Sequence, residues 1–289
     1  MGAKSRSAFT LVELLVVISI IALLLGILLP ALGKARRQAR TTLGMTRQQQ
    51  IARALNLYAA DNGDHLPDSV ATIGYEATSW NWQEPMMITG FYSRSPRVHR
   101  SMSAYLGAYI PDGDTMYCPN APRRSKYIEA AWAAGDDWDN PDTPVARDPI
   151  SGTYCFYWGY TGYISEGRLF QGPRTLTAGR PQTRLAVSCY LGYGHYSQRS
   201  AYGSCEPMRH ASVREGTLLT SSFWSVSGPR NPVLVRGLRL TAGHLDGHVE
   251  RYDADDTVAV RAILNVETAT PYPADYGPGM FYVPRSALQ

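Results

Sequence analysis

An α+β fold is the expectation for this chain: one long N-terminal transmembrane helix packed on an antiparallel β-sheet head that carries a large irregular insertion. Three observations lead there. A membrane-length apolar run over residues 9–32 passes without a break into strong helix formers. After Pro67 the composition turns to Gly, Pro, Tyr, Trp and Ser, and helical periodicity fades. Further on, two strand-like runs flank Asp246-Gly247, a pair that favours a tight hairpin turn.

The helix comes first. A bilayer-spanning helix needs about 20 apolar residues, and residues 9–32 meet that with Thr10, Glu13, Ser19, Gly26 and Pro30 as the soft spots. Beyond them, Ala, Arg, Gln and Leu continue the helix, and Ile51, Ala54, Leu55 and Tyr58 recur at spacings of three and four along one face. Asp61-Asn62-Gly63-Asp64 ends it, with Gly63 as the C-cap. At 1.5 Å per residue such a helix is about 80 Å long. Pro30 removes one backbone donor and crowds the preceding turn, so a kink is expected there. The organisation read from this is a leader at 1–8, a membrane half of the helix at 9–32, an extramembrane half at 33–62, and an α+β head at 63–289.

In the head, strands are expected over 154–164, 184–190, 233–241 and 247–252. Residues 67–150 form the irregular insertion, and 130–148 within it read as a polar loop around Gly135-Asp136-Asp137 and Pro141-Asp142. The segment from Thr270 onward holds four prolines and shows no clear element.

Composition excludes less than it permits. The net charge of +4 over 289 residues does not argue for nucleic acid. Its distribution is more telling: Lys34, Arg36, Arg37, Arg40, Arg47 and Arg53 follow the apolar run with no acid before Asp61. Such a stretch suits a solvated helix face, anionic lipid headgroups or acidic neighbours. Lys4 and Arg6 in the leader favour an N-terminus kept in the cytoplasm. No small-residue cleavage site ends the apolar run, so it does not read as a removable secretory signal.

The stretch Ala8-Phe9-Thr10-Leu11-Val12-Glu13, after a short basic leader and before a long apolar run, carries the functional signal. An ionisable group inside a membrane segment is costly and marks function. These residues resemble the processing site of type IV prepilin-like proteins and type II secretion pseudopilins. The resemblance implies a prepilin peptidase that cuts between Ala8 and Phe9 and methylates the new amine, leaving Glu13 as the fifth residue. Ala8 departs from the glycine usual before the cut. A proline where Pro30 stands is also recurrent in the family. The implied function is structural: a subunit assembled with other pilin or pseudopilin subunits into a secretion pseudopilus or pilus-like filament. Glu13 would pair with the Phe9 amine of a neighbour. The implied location is the cytoplasmic membrane, single-pass, with the head outside. A second resemblance, to large pilin-like proteins of planctomycetes and their relatives, rests on Asp246-Gly247, Tyr58-Ala59-Ala60-Asp61-Asn62-Gly63 and Cys118-Pro119. In that group a His stands where this chain has Arg236.

Other constellations carry less. Cys118, Cys155, Cys189 and Cys205 all fall in the exported part, where an oxidising compartment permits two disulfides in any of three pairings. Asp136, Asp137 and Asp139 are calcium candidates, without the glycine and terminal glutamate of an EF-hand loop. No other cofactor is expected. His244 and His248 flank Asp246 and read as solvated turn residues. No nucleophile elbow, phosphate-binding glycine loop or H-E-x-x-H is present, so no enzyme is expected. The rival reading is a membrane-anchored binding protein whose aromatic-rich head, with Trp80-Asn81-Trp82 and residues 154–158, recognises glycan or DNA. A tethered enzyme with its site in the 67–150 insertion is a further rival.

Overall fold

A computed structural model describes residues 10–72, 85–90, 99–121, 125–139, 150–165, 167–177, 183–193, 201–203, 213–215, 233–235, 239–253, 256–265, 270–271 and 280–288. Helix α1 spans Leu11–Asp61 and contains Pro30, through which it continues. The chain divides into two compact units, Met1–Thr42 and Leu43–Gln289. In the first, every described residue up to Arg40 is exposed, and α1 holds one stretch long and apolar enough to cross a membrane.

In the second unit the periodicity of α1 turns into burial. Gly44, Gln48, Ile51, Ala52, Leu55 and Ala59 recur at three- and four-residue spacings and are buried, with Ala54 beside them. Ile51 and Leu55 lose all their solvent exposure, each worth about 1.5–3 kcal/mol in apolar transfer. The helix ends as expected. Gly63 takes φ 62° and Asp64 φ 73°, and the Asp64 N–H donates to the Ala59 carbonyl at 2.8 Å. The Asp64 carboxylate then accepts from the Thr177 hydroxyl at 2.7 Å.

After α1 come two short helices, α2 (Met102–Leu106) and α3 (Ile128–Ala134). The strands that follow are β1 (Tyr154–Phe156), β2 (Thr161–Ser165), β3 (Arg168–Gln171), β4 (Leu185–Cys189), β5 (Leu191–Tyr193), β6 (Ala201–Gly203), β7 (Val213–Glu215), β8 (Val233–Val235), β9 (Arg239–His244), β10 (Val249–Asp253), β11 (Thr257–Asn265), β12 (Thr270–Pro271) and β13 (Met280–Pro284). Among the described residues, all ladders are antiparallel. One sheet runs β1-β4-β9-β10, a second β3-β2-β11-β13-β5-β6 with β12 beside β11, and β7-β8 pair separately.

The single sheet expected for the head is thus two. The expected strand over 154–164 breaks at Gly159, whose φ of 63° turns the chain from β1 in one sheet to β2 in the other. Tyr190 does the same between β4 and β5. Between the sheets lies an aromatic core. The Tyr157 ring stands 5.2 Å from Phe170 and 6.2 Å from Phe281, and Tyr160 stands 5.5 Å from Phe281. Helix residues from Gly44 on pack on the β1-β4-β9-β10 sheet, where polar groups hold the register. Tyr154 Oη donates to the Gly44 carbonyl at 3.2 Å, Gln48 Nε2 to the Thr241 carbonyl at 3.2 Å, and Asn56 Nδ2 to the Leu245 carbonyl at 2.7 Å.

Two further expectations are corrected. The stretch read as a polar loop begins with α3 and a 3-10 turn over Gly135–Asp139, and buries Trp132 and Trp138. Its remainder, 140–149, lies outside the described residues. The proline-rich C-terminal stretch holds β13, an interior strand whose Phe281, Tyr282 and Val283 are all buried.

Candidate functional site

The membrane-length segment opens on a reciprocal pair of hydrogen bonds. Thr10 N–H and the Thr10 hydroxyl both donate to Glu13 Oε2 at 2.9 Å, while Glu13 N–H donates back to Thr10 Oγ1 at 3.2 Å. This is a capping box, in which two first-turn donors of a helix are satisfied by side chains of the N-cap and the third helical residue. The carboxylate therefore sits over the positive end of its own helix dipole. Sequence reasoning identified Glu13 but not Thr10 as its partner, although Thr-x-x-Glu before an apolar run is a readable signature of this cap. Ala8 and Phe9 lie outside the described residues. From Leu11 to Leu32 the large apolar side chains are all exposed. Ser19 does not leave its hydroxyl unsatisfied in this apolar setting, because it donates to the Leu15 carbonyl at 2.7 Å.

Among the described residues, the other sequence-predicted groups do not gather into a second centre. Cys118 and Cys155 are buried thiols, not a disulfide. Burial pushes the Cys118 thiol up to about 11, which removes its thiolate character. Cys189 is disulfide-bonded, and Cys205, the remaining cysteine, lies outside the described residues.

Asp136, one of the calcium candidates, is engaged within the fold. Its Oδ1 accepts the N–H groups of Arg100 and Ser101 at 2.8 Å each, and its Oδ2 lies 2.7 Å from His99 Nδ1. The Arg100 guanidinium reaches the Asp136 carbonyl at 2.7 Å. These bonds fix the entry to α2, whose N-cap is Ser101. Asp137 is exposed and the Asp139 side chain lies outside the described residues. Among the described residues no three His, Cys, Asp or Glu side chains group as a metal site. Replacing Asp136 by Ala leaves two backbone donors unmatched, so a loss of about 1–3 kcal/mol is expected in chemical denaturation. A change under about 0.5 kcal/mol, the scale of ordinary surface substitutions, would contradict this structural role.

The expected solvated turn around His244 is a correction. Its ring is buried and stacked on His248, because β9 extends through His244 and the turn occupies Leu245 to Gly247. The aromatic run 154–158 is likewise core: Tyr154, Phe156, Tyr157 and Trp158 are buried and offer no stacking platform to a glycan or nucleic acid. Trp80 and Trp82 lie outside the described residues.

Residues 3–29 match the family model of the prokaryotic N-terminal methylation motif. The chain is 34% identical over 80 residues to the type IV wide pilus major component PilA4 of Thermus thermophilus. That match covers 27% of this chain and 61% of the relative, so it spans less than two thirds of the pilin's length. No solved structure matches the chain. From Thr10 on, the residues that match the methylation motif lie on the capped, exposed apolar helix, and the chain is similar in sequence to a type IV pilin.

Proposed function

We propose that this chain is a subunit of a pilus-like filament or a type II secretion pseudopilus, made as a precursor and cut by a prepilin peptidase between Ala8 and Phe9. The reading rests on Glu13. It is a carboxylate at the mouth of an exposed apolar helix, and it needs a polar partner in every state of the protein. In the separate chain its own Thr10 supplies one. In the filament, the Phe9 amine of a neighbouring subunit supplies a charged one, and pairing offsets the cost of burying the carboxylate. Apolar helices from Phe9 onward pack together as subunits leave the cytoplasmic membrane, with the heads on the far side. The exposed basic residues Lys34, Arg36, Arg37, Arg40 and Arg53 then lie next to lipid headgroups or acidic neighbours, while Arg47 is held by the Tyr117 carbonyl and Asp114. A head as large as 63–289 packs poorly in a tight helical array, which supports a minor or tip-like position.

Intact mass and N-terminal sequencing of the protein from its native membrane test this. A chain starting at a methylated Phe9, lost when the peptidase is removed, is the expected result. A start at Met1 or Gly2 with the peptidase present would overturn it.

A further inference from the structure

The β9–β10 hairpin ends in a row of four titratable side chains that the filament role of the N-terminal helix leaves unused. The imidazoles of His244 and His248 lie face to face, with centroids 4.1 Å apart and planes within 8°. Each ring ends on a carboxylate. His244 Nε2 is 3.1 Å from Glu250 Oε1, and His248 Nδ1 is 2.5 Å from Asp246 Oδ1. Glu250 Oε1 also accepts from the Ser286 hydroxyl at 2.7 Å, in the 3-10 turn that follows β13. The stack thus ties the end of one sheet to a turn leaving the interior of the other.

The two rings differ in solvation. The His244 side chain is 9% exposed and that of His248 55%. Burial holds the His244 imidazole below its ordinary range; the Glu250 hydrogen bond and the Asp246 charge oppose this, and the His248 charge reinforces it. Just before β4, the Arg184 carbonyl accepts the Leu245 N–H at 3.0 Å. From α1 comes Asn56, on the Leu245 carbonyl, and from the C-terminal turn comes Ser286. Arg285 beside it is paired with Asp256.

We propose that the His244–His248 stack is an acid-sensitive latch between the hairpin and the C-terminal turn, closed with at most one proton shared by the two rings and opened when both are charged. A proton on either ring sets a cation against the face of the other, and like charges at stacking distance disfavour the second proton. The second proton also creates an imidazolium in a buried position. Opening parts the rings, gives Glu250 to solvent and releases Ser286. The direction with pH follows: a histidine held below its ordinary value binds fewer protons folded than unfolded. Its contribution to stability is full above about pH 6.5 and falls as the pH drops through that value. The latch belongs to the head and operates whether or not the chain enters a filament.

The test follows amide hydrogen exchange, corrected for its intrinsic pH dependence, on the full-length chain in detergent micelles at about pH 7 and about pH 5. Protection of residues 244–253 and 281–288 is expected to fall together by about tenfold, the effect of one unit of displaced protonation. His244→Phe keeps a stacked ring that cannot titrate and is expected to abolish that fall. His248→Phe keeps a ring on the stack but removes the like charge and the Asp246 contact, and is expected to raise the pH at which the His244 side-chain NMR signal titrates. An equal acid loss in His244→Phe would overturn the latch. So would wild-type segments that lose no more protection than the rest of the head. Should His244→Phe fail to fold, an unmoved His244 titration in His248→Phe overturns it.

Discussion

Glu13→Ala is expected to yield a precursor that is cut normally and a subunit that enters filaments at least about tenfold less than the wild type, the effect of losing about 1.4 kcal/mol of pairing. Two losses contribute. Alanine removes the capping box, in which Glu13 Oε2 accepts from Thr10 N–H and hydroxyl at 2.9 Å each, worth about 1 kcal/mol to the first turn. It also removes the only acid between the leader and Asp61, and with it the pairing that a neighbour's Phe9 amine would meet. Glu13→Gln separates these contributions. A glutamine at the third helical position still accepts from the N-cap N–H, so the box survives while the charge does not. Filament yield measured for both variants against total mature subunit decides between them. Equal failure assigns the role to the charge; a working Glu13→Gln beside a failing Glu13→Ala assigns it to the cap. Normal incorporation of Glu13→Ala would end both accounts.

What was legible in advance tracks how local the determinants are. The helix could be read to its last turn because burial of Ile51, Ala54 and Leu55 repeats the helical period, and Gly63 supplies the positive φ that ends it. The β9–β10 hairpin could be read because Gly247 takes φ 86° in a turn that favours glycine. β11 escaped because Ala259, Val260, Ala262 and Ile263 are buried on both faces, which erases the two-residue alternation. β13 escaped because its five residues stand among prolines, and only pairing with β11 and β5 makes them a strand. The division into two sheets is decided at Gly159 and Tyr190, by partners far away in sequence. For the site, Glu13 stood out by chemistry alone; Thr10 was missed as its partner, although the Thr-x-x-Glu spacing announces the cap. The burial of His244 depends on a strand that extends past the expected turn, and nothing next to it in sequence announces that.

The corner where the chain passes between sheets should be the least tolerant point of the head, and Gly172→Ala tests it with a single methyl group. Gly172 N–H donates to the Tyr160 carbonyl at 2.8 Å, and the Gly159 N–H donates to the Pro173 carbonyl at 2.8 Å, closing the corner. A Cβ on Gly172 would stand 1.6 Å from the Tyr157 carbonyl oxygen and 2.6 Å from its carbon. Those atoms are backbone, and the Tyr157 N–H is itself held by the Ala186 carbonyl at 2.9 Å, so no side chain can swing aside. Overpacking usually costs about 1–3 kcal/mol. With the backbone as the obstacle, a loss of about 3 kcal/mol is expected, near 10 °C in melting temperature for a head of this size. Gly44→Ala is the matched control. Its Cβ would meet Pro119, the Tyr154 hydroxyl and Cys118 at 3.5–3.7 Å, ordinary contact distances, and alanine improves a helix interior by up to about 1 kcal/mol. It should melt at or slightly above the wild type. If the two variants melt alike, the corner does not govern the stability of the head, and the two sheets must be joined more loosely than their shared aromatic core implies.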